Sequence, residues 1–262
     1  MKNIVVSGAL GKMGQEVVKL VDRTDDFELV GAVDVAHEGE DIKEVLNLED
    51  ASAEISNDLK ETLNEVQADA VVDFTTPQVV MDNIRTVCEA GVDMVVGTTG
   101  ITEADLSEIE DLAVDNKVII APNFAIGAIL MMEFSKKAAK FLDDVEIIEQ
   151  HHDGKLDAPS GTAIKTAELI QENLTEKEDE REEIEKIEGA RGAEKDGINI
   201  HSVRLPGLVA HQEVLFGGEG QTLKLRHDSI NRRSFMPGVA LAISKLDEID
   251  GVVYGLDNLI EL

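Results

Sequence analysis

One cysteine, Cys88, stands in 262 residues, which excludes an intramolecular disulfide framework. No apolar run approaches the ~18 residues of a membrane span. The first residues also lack the basic stretch and apolar core of a secretory signal. A cytoplasmic protein with no membrane partner is expected. Basic charge is scarce: 24 Lys and Arg face 54 Asp and Glu, for a net charge of −30. Such a surface repels phosphate backbones, so nucleic acid is excluded as a partner. The acidic residues gather at Asp41–Asp50, Glu103–Asp115 and Glu176–Glu188, the last read as an acidic excursion. A high-salt cytosol would make this surface tolerable by screening, with plain solubility as the alternative. Internal repeats and low-complexity linkers are absent as well.

What is present begins at the N-terminus. Asn3–Ser7 is a short apolar strand, Gly8-Ala9-Leu10-Gly11-Lys12-Met13-Gly14 follows, and a helical pattern runs from Gln15 to Asp22. Strand, glycine turn and helix in that order make a phosphate cradle, with the helix N-terminus favouring negative charge. Gly8 permits the tight turn, Gly11 the approach of a pyrophosphate, and Gly14 close packing of helix on strand. A second strand, Glu28–Val33, ends in Asp34, about twenty residues past the last glycine, where a carboxylate accepts hydrogen bonds from ribose hydroxyls. The combination predicts dinucleotide binding.

Short apolar strands then alternate with helices: Ala70–Phe74, a helix from Val79, Val92–Val96, a helix from Glu103, and Lys117–Ala121. Strands buried on both faces and separated by helices predict a Rossmann-like, doubly wound parallel sheet. Their C-terminal ends, where ligands bind in such sheets, carry Thr75-Thr76-Pro77, Gly97-Thr98-Thr99-Gly100 and Pro122-Asn123-Phe124. Past the acidic stretch the strands Asn199–Leu205, His211–Phe216 and Gln221–Arg226 follow in close succession and read as a meander. With the strand Val145–Gln150 they predict a second α+β domain with a mixed open sheet. The expected division is 1–124 completed by 233–262 for the dinucleotide domain and 125–232 for the second, with hinges near Phe124–Gly127 and Arg232–Phe235, where the chain crosses between them.

The densest chemistry lies in Glu149-Gln150-His151-His152-Asp153-Gly154-Lys155-Leu156-Asp157-Ala158-Pro159-Ser160-Gly161-Thr162-Ala163. A strand ends at the histidines, and Ser160 is placed to cap a helix from Ala163 to Leu174. The amides of Ser160, Gly161 and Thr162 would form an anion site at that helix start. His151 or Lys155 is a candidate general acid, and Lys155 a charge partner for an anionic substrate. No metal is expected, because His151, His152 and Asp153 alternate across a strand and make poor co-ligands.

These segments together resemble the 4-hydroxy-tetrahydrodipicolinate reductase (dihydrodipicolinate reductase) family over nearly the whole chain. The resemblance rests on Gly8–Gly14, Gly97–Gly100, Ala121–Phe124 and, most specifically, on His151-His152 through Lys155 to Asp157–Ala163. It implies the NAD(P)H-dependent reduction of 4-hydroxy-tetrahydrodipicolinate, a small dicarboxylate heterocycle, in the diaminopimelate route to lysine. It assigns Gly8, Ala9, Leu10, Gly11, Lys12 and Met13 to the pyrophosphate and Asp34 to the adenosine ribose. Gly97, Thr98 and Thr99, with Ala121, Pro122, Asn123 and Phe124, fall to the nicotinamide end. His151 becomes the proton donor, Lys155 a second acid and substrate ligand, and His152, Gly161 and Thr162 contacts for the substrate carboxylates, with Ser160 beside them. The family's homotetramer is implied too. Val35 follows Asp34 where some members place arginine, so NADH is expected to be preferred over NADPH.

Two rival readings of the same residues stay open. Another two-domain NAD(P)-linked dehydrogenase, such as one oxidising a semialdehyde, would need a thiolate, and Cys88 sits within a helical pattern. A catalytically silent nucleotide sensor on the same fold is the other, since fold does not dictate function.

Overall fold

The computed structural model describes residues 1–174 and 184–260. Two compact units emerge: residues 1–125 with 235–260, and residues 126–234. Residues 175–183, most of the expected acidic excursion, lie outside the described residues.

The first unit runs β1 (Lys2–Ser7), α1 (Gly14–Asp22), β2 (Phe27–Val33), α2 (Ile42–Leu46), β3 (Ile55–Ser56), α3 (Leu59–Glu65), β4 (Ala70–Asp73), α4 (Val80–Glu89), β5 (Asp93–Val96), α5 (Glu103–Leu112) and β6 (Val118–Ile120). Among the described residues its sheet has seven strands in the order β12-β6-β5-β4-β1-β2-β3, where β12 is the late strand Val252–Tyr254. Every pairing in it is parallel. The strands read as unbroken apolar runs because both faces are covered: Ile4, Val5, Val6, Val71 and Val72 are wholly buried. All strand ends that carry candidate residues therefore face the same edge of the sheet.

The second unit runs α6 (Ile126–Ala138), β7 (Asp144–His151), α7 (Gly161–Gln171), β8 (Ala193–Lys195), β9 (Ile198–Arg204), β10 (Ala210–Gly218) and β11 (Gln221–Ser229). The chain then returns to the first unit with α8 (Met236–Lys245) and β12 (Val252–Tyr254). In the second sheet Ile147, Ile200, Val214 and Phe216 pack with Met131 of α6 and Ala163, Ala167 and Ile170 of α7. Fully burying each large apolar side chain contributes about 1.5–3 kcal/mol. The strand β10 buries Gln212, Val214 and Phe216 and leaves the alternate residues partly exposed, as in a sheet covered on one side.

The expected meander is not formed. The strand order is β11-β10-β7-β9-β8, with β7 inserted between the consecutive strands β9 and β10. The crossover through α7 is long enough to bring β9 back parallel to β7, while β10 pairs antiparallel with β7 and β11. The link from β9 to β10 passes over the end of β7. There Leu205 N–H donates to the His151 carbonyl at 3.1 Å and His152 N–H to that of Val209 at 3.4 Å.

Candidate active site

In the first unit the glycine turn is built by backbone contact. Gly8 has φ +76, and a Cβ there would lie 2.5 Å from the Phe74 carbonyl oxygen. A Cβ on Gly14 would sit 1.9 Å from the Gly8 oxygen, so α1 starts directly against the turn. Several turn amides are already engaged. Gly8 and Ala9 N–H donate to the Val33 carbonyl at 2.8 and 3.0 Å, and Gly11 N–H to that of Gly8 at 3.0 Å. Leu10 N–H donates to Asp34 Oδ2 at 2.8 Å. The amides of Lys12 and Met13 have no partner among the described residues and open at the α1 N-terminus, where a phosphate is favoured. This cradle of close backbone and open amides fits a dinucleotide.

Asp34 stands at the end of β2, its second oxygen accepting from Ala36 N–H at 3.1 Å. Val35 beside it is 93% exposed. Across the sheet edge, Thr98 is turned inward: its hydroxyl donates to the buried Asp73 carboxylate at 2.6 Å and accepts from Thr75 N–H at 2.8 Å. Thr99 is exposed. A Cβ on Gly97 would lie 2.1 Å from the Phe74 ring, and that ring packs on Phe124 with centroids 5.7 Å apart. Ala9, Ala121 and Phe124 are buried, so these three shape the edge from within. Pro122 is exposed, and Asn123 holds its side-chain oxygen on Ala125 N–H at 2.9 Å.

In the second unit, β7 alternates so that Ile147, Glu149 and His151 share one face. Glu149 is completely buried and binds His151 Nδ1 through Oε2 at 2.5 Å. Arg204, opposite His151 on β9, grips both Glu149 oxygens at 2.8 Å. Burial pushes the Glu149 carboxyl up, but hydrogen bonds from Arg204, Ser202 and His151 outweigh it and hold it below the usual range. For His151 burial dominates and lowers its pKa, with Glu149 opposing. Its Nε2 has no partner among the described residues.

Lys155 reaches back to Asp157, with both carboxylate oxygens at 2.8 Å from Nζ, which lowers the Asp157 pKa. Ser160 caps α7 by accepting from Ala163 N–H at 3.3 Å, while its own N–H donates to Glu149 Oε1 at 3.3 Å. Being buried and doubly committed, Ser160 leaves the amides of Gly161 and Thr162 as the open donors of this turn. His152 is exposed. Sequence reasoning assigned no role to Glu149 or Arg204. The available signal was the two-residue spacing of Ile147 and Glu149, which puts an acid on the apolar phase of the strand, with His151 next on the same face. Cys88 lies in α4, half-buried, its thiol pushed up by burial, the opposite of an activated nucleophile.

Comparison with known proteins gives a consistent result. A family model described as "Dihydrodipicolinate reductase, N-terminus" matches residues 2–124, and one described as "Dihydrodipicolinate reductase, C-terminus" matches residues 127–260. The chain is 53% identical over 261 residues to 4-hydroxy-tetrahydrodipicolinate reductases of Bacillus thuringiensis and Bacillus cereus, covering 98% of each chain. It is also similar to the structure of dipicolinate-bound dihydrodipicolinate reductase from Paenisporosarcina sp. TG-14. The TM-score is 0.88 at 48% identity, covering 99% of this chain and 100% of that one.

Proposed function

The chain belongs to the dihydrodipicolinate reductase family and carries out the NAD(P)H-dependent reduction of 4-hydroxy-tetrahydrodipicolinate in the diaminopimelate route to lysine, and we propose that His151 is its proton donor. The observation that carries this assignment is an imidazole held by Glu149 at Nδ1 with Nε2 open, at a strand end, in the same segment as Lys155 and the open amides of α7. The bound nicotinamide coenzyme supplies the hydride.

In this reading the Lys12 and Met13 amides, with the turn Gly8–Gly11, hold the pyrophosphate, and Asp34 binds the adenosine ribose of NADH in preference to NADPH. Gly97, Thr98 and Thr99, with Ala121–Phe124, shape the nicotinamide end. Lys155 leaves Asp157 for a substrate carboxylate, which the amides of Gly161 and Thr162 and the His152 ring also contact. His151 then delivers a proton from Nε2 as electron density builds on the substrate ring. We also propose a homotetramer built on the second sheet, supported by the sheet face that the helices of its own unit leave uncovered. A cytoplasmic location is proposed as well; among the described residues no helix is long and apolar enough to cross a membrane.

His151→Gln keeps a polar side chain and removes the titratable group. Its kcat should fall about 10²- to 10⁴-fold with the substrate KM changed far less. In the wild type, kcat should decline as pH rises through the His151 pKa, because the donor must be protonated. Near-wild-type kcat in the variant across the pH range would show that another group gives the proton.

A further inference from the structure

We infer that Glu149 is a positioning residue for the reduction, locking the His151 ring so that Nε2 alone exchanges the catalytic proton, with Arg204 holding Glu149 as the anion that does so. The inference rests on the assignment of His151 as donor and goes beyond it.

Glu149 occupies the phase of β7 that Ile147 fills with an apolar side chain, and it is completely buried. A lone carboxylate there would cost several kcal/mol of desolvation. The fold surrounds it instead. Oε1 accepts from Arg204 Nη2 at 2.8 Å and from Ser160 N–H at 3.3 Å. Oε2 accepts from Arg204 Nη1 at 2.8 Å and meets His151 Nδ1 at 2.5 Å. The paired donors of Arg204 fix the plane of the carboxylate, as such a fork does.

An ionised carboxylate can only accept, so the proton of the His151–Glu149 contact belongs to Nδ1. The neutral ring therefore carries its lone pair on Nε2, and the protonated ring gives up its proton there. Transfer takes place at a single, oriented atom, and Nδ1 never leaves its partner. The charged groups facing the ring are Glu149 on its own strand, Arg204 from β9 and Lys155 from the following loop. Its partner on β10 is Ala210, which has no charge. Among the described residues Glu149 is thus the main anion set against these two cations, and without it the imidazolium loses the partner that favours its charge.

The same carboxylate joins neighbouring parts of the segment. Arg204 Nη2 also donates to the Asp157 carbonyl at 2.7 Å, and Ser160 N–H ties the start of α7 to Glu149. A purely architectural role would act through this anchoring and would damage the protein whether or not His151 is present.

The test is a double-substitution cycle on the full-length protein: Glu149→Gln, His151→Gln and the pair, assayed with NADH and freshly generated 4-hydroxy-tetrahydrodipicolinate. Glu149→Gln should lower kcat about 10- to 100-fold, a part of what a general acid contributes. It should also shift the descending limb of the pH profile to lower pH, because the imidazolium has lost its anion. In the His151→Gln background the same change should lower kcat less than about twofold, since the residue acts through the ring. An equal loss in both backgrounds, or none in the wild type, overturns the inference alone. Unimpaired kcat in His151→Gln overturns the donor assignment and the inference with it. If Glu149→Gln does not fold, imidazole ¹⁵N shifts of the wild-type protein decide. A neutral ring protonated on Nδ1 is expected, and one protonated on Nε2 overturns the inference.

Discussion

Coenzyme choice should be decided by one fixed carboxylate. Asp34 is held at the end of β2 by Leu10 N–H at 2.8 Å and Ala36 N–H at 3.1 Å, so it cannot swing away from an added phosphate. The 2′-phosphate of NADPH brings a charge of about −1.5 to −2 at neutral pH. Two unit charges about 4 Å apart repel by about 1 kcal/mol in water and about 4 kcal/mol at the effective dielectric of a protein edge. Replacing the ribose hydroxyl also removes a hydrogen bond to a charged acceptor, about 1.5–3 kcal/mol. Cations oppose this only weakly. Val35 offers none, His37 is paired with Glu40 at 3.1 Å, and Lys12 is exposed in the turn. At this open edge the figure for water is the nearer one, so the loss is about 2.5–4 kcal/mol, and with exposed Lys12 recovering about 1 kcal/mol a net preference of about 1.5–3 kcal/mol remains, or about 10- to 150-fold in kcat/KM for NADH. Steady-state kinetics with both coenzymes at ~0.1 M KCl measure it. Val35→Arg, which supplies a cation at a 93% exposed position, should move the ratio toward NADPH by about tenfold or more. A wild-type ratio of one or below would refute the reasoning, because the carboxylate would then not be reading the 2′ position.

Two further outcomes follow from the turn and from the surface charge. Gly14→Ala puts a Cβ 1.9 Å from the Gly8 oxygen, and relieving that overlap should cost about 1–3 kcal/mol and raise the Kd for NADH at least about tenfold; unchanged melting and NADH fluorescence titration would show that α1 need not touch the turn. With a net charge of −30, Tm and turnover should both rise from low salt toward ~1 M KCl, where the screening length falls to about 3 Å, and a flat Tm with steadily falling activity would refute self-repulsion as the governing term.

Which parts of this protein could be read from its sequence depended on the range of the interactions involved. The strand, turn and helix from Asn3 to Asp22 were legible because they are local: an apolar run, glycines that allow backbone contact, and an amphipathic repeat sit within twenty or so residues. The Ser160 cap was legible for the same reason, since a hydroxyl and an amide three residues on make their own bond. The order of the second sheet was not, because the strands β7, β9 and β10 have similar patterns and nothing local states which edge each one takes. Glu149 was hidden by the same limit. Its carboxylate is matched by Arg204, 55 residues away, and its place in phase with Ile147 marks an acid on the apolar side of the strand without stating which residue will pair with it. Even the glycine turn was only half legible: its spacing announces a cradle, but Gly8 and Ala9 give their amides to Val33, so the donors left for a phosphate move on to Lys12 and Met13. Ser160 shows the same shift, its amide spent on Glu149 and the anion site passed to Gly161 and Thr162. Local pattern therefore reports where donors are concentrated, while long-range pairing decides which of them stay free to meet a ligand.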